Sequence, residues 1–171
     1  MDIYEAILKR RSIRKFKDKE ISPEIIDKLI DALIWAPSAG NLQKRRFYFV
    51  FNKDIREKLA KASYNQSFVK EAPLVIVCCG DRTISKNYGE RGENLYLACD
   101  VSASIENLML LAVSFGLGTC WVGAFNNDEV SKILNLDKNL IPIAIIPVGY
   151  PDEKPEPPKR VSKGEAVEII E

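Results

Sequence analysis

The stretch from Asn94 to Phe115, NLYLACDVSASIENLMLLAVSF, constrains the fold of this chain more than any other. It reads as one long helix, apolar around much of its circumference and stopped by Gly116 and Gly118. Such a helix needs cover on more than one side. It is either the central helix of a domain or a helix that also packs on a second subunit. Asp100 and Glu106 lie within it, which argues against a membrane span.

The remaining elements are shorter and interleaved. Ile3, Tyr4, Ile7 and Leu8 recur at helical spacing, and Ser22-Pro23-Glu24 starts a second helix with an apolar stripe from Ile25 to Ile34. Pro37 closes it, and Ser38–Asn41 is a loop. Phe47–Phe51, Leu74–Cys79, Thr119–Val122 and Ile141–Val148 read as strands, Asp54–Ala62 and Asp128–Leu134 as helices. Pro142 and Pro147 point to the edges or ends of a sheet. Gly80–Gly92 is polar and glycine-bounded, the pattern of a loop. After Pro151, Pro155, Pro157 and Pro158 comes Ala166–Ile170, AVEII, a small strand with no neighbour of its own. A stiff arm ending in an orphan strand suggests exchange with a partner chain, and a frayed tail is the alternative. No internal repeat or boundary divides the 171 residues, so a single domain, with 150–171 as its extended arm, is expected.

Charge and composition narrow the chemistry. With 25 basic and 24 acidic residues the formal charge is +1, so any anion site must be local. That balance also argues against nucleic-acid binding by RRSIRKFK and QKRR. Asp2, Glu5 and Lys9 interrupt any secretory leader, leaving the cytoplasm as the default. There is no histidine, and Cys78, Cys79, Cys99 and Cys120 lack metal-ligand spacing, so all four are expected to be buried structural thiols. No metal site is expected, and an enzyme of this composition would need a cofactor.

Four segments suit a planar, phosphorylated ligand. In Arg10-Arg11-Ser12-Ile13-Arg14 an extended backbone puts Arg10, Ser12 and Arg14 on one side, two guanidinium forks and a hydroxyl that match a phosphate monoester. By itself the cluster leans toward a basic helix end. Ala36-Pro37-Ser38-Ala39-Gly40-Asn41-Leu42-Gln43 combines small residues with amide side chains, as does many a helix-stop loop. Gly118–Phe125 is a strand running into Gly123-Ala124, where backbone N–H groups could meet a ring edge. Lys159-Arg160 adds two cations beyond the proline arm.

Taken together, RRSIRKF, WAPSAGNLQ, GLGTCWVGAF, IPIAIIPVGYP and PKR, in this order, resemble the nitroreductase family of flavin mononucleotide (FMN) oxidoreductases. The resemblance covers nearly the whole chain. It implies an α+β fold, a central, mostly antiparallel mixed sheet flanked by helices, in a homodimer with flavins at the interface and exchanged C-terminal strands. Position by position, it implies that Arg10, Ser12 and Arg14 hold the flavin phosphate, ribityl chain and pyrimidine edge. Arg11 would give supporting contacts, and Lys159 with Arg160 would complete the phosphate site. Val122, Gly123 and Ala124 would face N5, while Pro37, Ser38, Asn41 and Gln43 would come from the other subunit. The implied activity is reduction of a small nitroaromatic or quinone-like acceptor by NADH or NADPH through flavin N5, with no catalytic side chain. Arg14 is the candidate cation beside N1 and O2. Reductive dehalogenation, flavin fragmentation and a non-catalytic flavin module are the alternatives on the same fold. Lys44-Arg45-Arg46 stands where many relatives have proline and an aromatic residue, and Gly80–Gly92 leaves little room for extra lid helices.

Overall fold

The computed structural model describes residues Met1–Glu171. Its helices are α1 (Ile3–Lys9), α2 (Pro23–Ile34), α3 (Lys53–Ala62), α4 (Phe68–Glu71), α5 (Ser85–Arg91), α6 (Leu97–Ser114), α7 (Asn127–Leu134) and α8 (Lys163–Ala166). Strands β1 (Arg45–Val50), β2 (Leu74–Asp81), β3 (Gly118–Thr119) and β4 (Leu140–Gly149) form one sheet in the order β1-β2-β4-β3, every pair antiparallel. A single parallel bridge, Ser12 to Thr119, makes it mixed. The fold is α+β.

The sheet is covered on both faces, which explains why β2 is apolar without alternation. Leu74, Ile76 and Cys78 join Leu29 and Leu33 of α2 and Val101, Ile105, Leu108 and Ala112 of α6 in one core. Val75, Val77 and Cys79 join Leu59, Val69, Val122 and Val130 in the other. The long helix therefore is the central one, held between the sheet and α2. By length and composition alone the run Arg82–Ser114 could cross a membrane; here its apolar face is occupied within the fold. Its end is set by Gly116 at φ 71°, where Leu117 N–H donates to Ala112 and Gly116 N–H to Val113, at 2.9 and 3.0 Å.

Four expectations need correction. Residues 80–92 are not a loop: β2 continues to Asp81, a 3₁₀ turn spans Arg82–Ile84, and α5 runs through a π-turn (Gly92–Tyr96) into α6. Their polarity reflects exposure, and Asp81 starts the helical run by accepting from Thr83 N–H at 2.9 Å. Strand β4 is interior. Its prolines fit because Pro147 faces the short β3 side, where its carbonyl accepts from Cys120 N–H at 3.4 Å, and Pro142 lies beside the register shift at Cys78/Cys79. Ala166 is helical, in a turn that Ser162 and Glu165 cap reciprocally, so only Val167–Ile170 lies outside the helix, exposed and unpaired within the chain. Cys99 is exposed, on the side of α6 turned away from the sheet.

The three buried thiols give a prediction. Burial pushes Cys79 up to about 12 and raises Cys78 well above the usual thiol range. In the unfolded chain a thiol ionises near pH ~8.5. The stability this contributes is complete below that pH and is lost as pH rises toward the folded value. Urea unfolding between pH 8.5 and 10.5 is expected to show a loss of about 1.4 kcal/mol per pH unit for each such thiol. A Cys79→Ala variant should show a shallower fall.

Candidate functional site

The Arg10–Arg14 segment is set by the end of α1 and by two long-range contacts. Arg10 caps α1 through its N–H to Ala6. Beyond it the chain becomes extended: Ile13 N–H donates to Thr119 O at 2.9 Å. That docking requires Gly118, since a Cβ there would lie 2.5 Å from Ile13 Cγ1. Glu153, at the root of the proline arm, accepts from the backbone N–H of both Arg14 and Lys15. Asp152 N–H to Lys15 O and Lys17 N–H to Tyr150 O, both 2.9 Å, complete the clamp.

So held, Arg10, Arg11, Ser12 and Arg14 line a cavity of about 390 Å³, closed on the other side by Pro155, Glu156, Pro158 and Arg160. Its size is that of a small-ligand pocket. Arg11 is the inner support: its guanidinium donates to the carbonyls of Leu8 and Arg10 at 2.8 and 2.7 Å. Cys120 lies beneath. Burial pushes its thiol up, while Arg14, the Ser12 hydroxyl and Arg10 pull it back. Lys159 is exposed and does not line the cavity.

Arg14 also links the cavity to the Val122–Ala124 turn. Its guanidinium lies 5.9 Å from the Phe68 ring centroid. Two residues back, Gln66 Nε2 donates to Ala124 O at 3.2 Å. Val122 spends both backbone groups on Ile145, at 3.0 Å each, so it is buried scaffold. Gly123 and Ala124 are exposed, and their N–H groups carry no bond within the chain. At Gly123 the nearest atom to an added Cβ would be Trp121 Nε1, 3.8 Å away, which leaves the backbone open to a ligand. The preceding turn, Tyr64-Asn65, has φ of 54° and 60°, strained for both residues.

The Pro37–Gln43 loop lies elsewhere. Asp100 is 6% exposed and accepts from Ala39 N–H through both carboxylate oxygens, at 3.0 and 3.1 Å. Arg45 donates to the carbonyls of Ile34, Ala36, Pro37 and Asp100. Burial lowers Arg45 from its ordinary value, with Asp100 opposing. Gly40, Asn41 and Gln43 all sit at φ 54°, and Ser38 Oγ accepts from Gln43 N–H at 3.1 Å. Asp100 is in the first turn of α6, whereas the arginine cavity adjoins Gly118–Thr119 beyond its last. From Asp100 to Ser114 the helix spans about 20 Å at ~1.5 Å per residue. The arginine cavity and the Pro37–Gln43 loop thus lie at opposite ends of the central helix.

Comparison with known proteins identifies the family. The nitroreductase family model matches residues 7–67 and 61–150. The chain belongs to the nitroreductase family. A Methanothermobacter thermautotrophicus nitroreductase relative, provisionally named NADH dehydrogenase/NAD(P)H nitroreductase, is 35% identical over 159 residues, 91% of this chain and 80% of its own. A Parabacteroides distasonis structure with the same provisional name superposes with a TM-score of 0.84 at 34% identity, covering 98% and 96% of the two chains. The NADPH:FMN oxidoreductase of Vibrio harveyi, complexed with NAD+, superposes with a TM-score of 0.91 at 28% identity. This chain covers 77% of that longer one. Among the site residues of this nitroreductase chain, Lys159 and Arg160 lie beyond the matched range.

Sequence reasoning missed Glu153, Asp100, Arg45 and the Tyr64–Gln66 turn. None had a local sequence signal: Glu153, Asp100 and Arg45 act through contacts distant in sequence, and the turn shows itself in backbone angles alone.

Proposed function

We propose that this nitroreductase is an FMN-dependent oxidoreductase that uses NADH or NADPH to reduce a small nitroaromatic or quinone-like acceptor, and that it works as a homodimer. The observation that carries this reading is the cavity where Arg10, Ser12, Arg14 and Arg160 converge, with the free Gly123 and Ala124 N–H groups joined to it through Phe68 and Gln66. These residues fit FMN. Arginine forks and a hydroxyl match a phosphate monoester, and unblocked backbone donors match the edge of a flat ring. The names of the relatives support the same cofactor and electron donor.

When bound, the flavin supplies the hydride chemistry at N5. The chain supplies position and charge. Arg10, Ser12 and Arg160 anchor the phosphate, with Arg11 fixing the backbone that carries them. Arg14, steadied on Phe68, places a cation toward the pyrimidine edge, where negative charge is favoured. Gly123 and Ala124 donate toward the central ring. Pro37, Ser38, Asn41 and Gln43 belong to the site of the other subunit, because they lie too far from their own chain's arginines. Exposed Ile3, Tyr4, Ile7 and Leu8 on α1, Ile30 and Ile34 on α2, and Trp35, 81% exposed, give that subunit an apolar surface to cover. The unpaired Val167–Ile170 tail is free to pair with it.

A visible-absorbance spectrum tests the reading. The purified protein, alone or after addition of FMN, is expected to show flavin bands that NADH or NADPH bleaches. A protein that stays colourless after excess FMN would refute it.

A further inference from the structure

Tyr88 occupies a position that core packing does not explain. Its hydroxyl rests on Gly40 at the crest of the Pro37–Gln43 loop: a Cβ on Gly40 would lie 2.2 Å from Tyr88 Oη and 3.4 Å from Cζ. Three features aim it there. Gly89 has φ 57° and ψ −151°, a conformation essentially restricted to glycine, yet nothing lies within 4 Å of its would-be Cβ. Backbone shape, not space, requires glycine. Gly92, which opens the π-turn, packs under Tyr88, where a Cβ would come within 2.8 Å of Tyr88 Cβ. Tyr96 meets the Tyr88 ring edge-on at 5.3 Å and is itself held by Arg91 Nε at 3.1 Å. Local departures from regular helix of this kind concentrate at functional sites.

The result is a phenol 38% exposed, standing at the rim of a loop whose crest has no side chain, beside the exposed amides of Asn41 and Gln43. We propose that Tyr88 is a specificity-determining residue of the acceptor pocket, its ring walling a flat aromatic ligand and its hydroxyl donating to an oxygen carried on that ring. The assignment rests on the reading that this loop faces the flavin of the partner subunit. A shelf lined by glycine admits a plane, and the Tyr88 O–H at its edge, free of any partner in the chain, adds a directional donor. The favoured ligand class is therefore planar and oxygen-bearing, such as a quinone.

The test is a binding equilibrium on oxidised holoenzyme without nicotinamide, so that no turnover enters. 1,4-Naphthoquinone-2-sulfonate and naphthalene-2-sulfonate, which lacks the ring oxygens, are titrated by calorimetry. Tyr88→Phe is expected to weaken the quinone about tenfold, the scale of one lost hydrogen bond, and to leave the naphthalene within about twofold. Tyr88→Ala should weaken both. An unchanged quinone Kd in Tyr88→Phe, or equal weakening of both ligands by it, would overturn the assignment. Flavin absorbance of each sample separates the two levels. A wild type that takes up no FMN removes the flavin reading and this role with it. A yellow Tyr88→Phe protein with wild-type affinities removes only the role of Tyr88.

Discussion

Replacing Arg10 and Arg14 together by alanine is expected to weaken FMN binding by about two to four orders of magnitude while leaving the protein folded. On the proposed reading Arg10 makes charge-assisted bonds to the phosphate and Arg14 to the pyrimidine edge, worth roughly 1.5–3 kcal/mol apiece. The two together give the stated range. Folding should survive because neither guanidinium supports the fold: Arg14 is exposed and Arg10 half-buried. The segment is held through its backbone, by Thr119 and Glu153. Arg11→Ala is the informative contrast. Its guanidinium is engaged by the carbonyls of Leu8 and Arg10, so its loss should affect stability of the α1 end before it affects the ligand. A fluorescence titration with FMN, paired with thermal unfolding of each variant, checks both statements. Unchanged affinity in the double variant would sink the phosphate assignment.

The arginine cluster was legible because its pattern is local. Three of its residues share a side by alternation alone, and the extended backbone from Arg10 to Phe16 realises that alternation. Its support was not legible. Glu153 lies 139 residues from Arg14 and reads as one more acid in a proline-rich arm. Asp100 read only as a charge against a membrane span; 61 residues from Ala39, it is the anchor of the loop. Such contacts are set by topology, which periodicity does not encode.

The fold shows the same division. The central helix was legible from length, apolar content and its glycine stop. Residues 80–92 were misread because polarity was taken for irregularity, although exposed helix turns are polar too. At the tail, Ser162-x-x-Glu165 is a capping-box pattern that the reading of AVEII as a strand overlooked, and the structure gives Ala166 to the helix. Interior Pro142 and Pro147 in β4 depend on a register shift and a two-residue neighbour, β3, neither visible in a single strand's sequence.

The separation of the arginine cavity and the loop leads to the second large effect. If each flavin takes its arginines from one chain and its loop from the other, two inactive variants should restore each other. Arg10→Ala/Arg14→Ala abolishes a chain's own socket but leaves its loop intact. Asn41→Ala/Gln43→Ala removes the amides that a chain lends and leaves its socket intact. In a mixed dimer related by two-fold symmetry, one site combines both defects and the other combines neither. Random pairing makes about half of all dimers mixed, each with one intact site of two, so about one quarter of wild-type sites should return. Flavin content per chain after co-refolding an equal mixture measures it directly. Recovery near zero would mean that each chain completes its own site. The roughly 20 Å between Asp100 and the end of α6 argues against that outcome, since no side chain reaches across it.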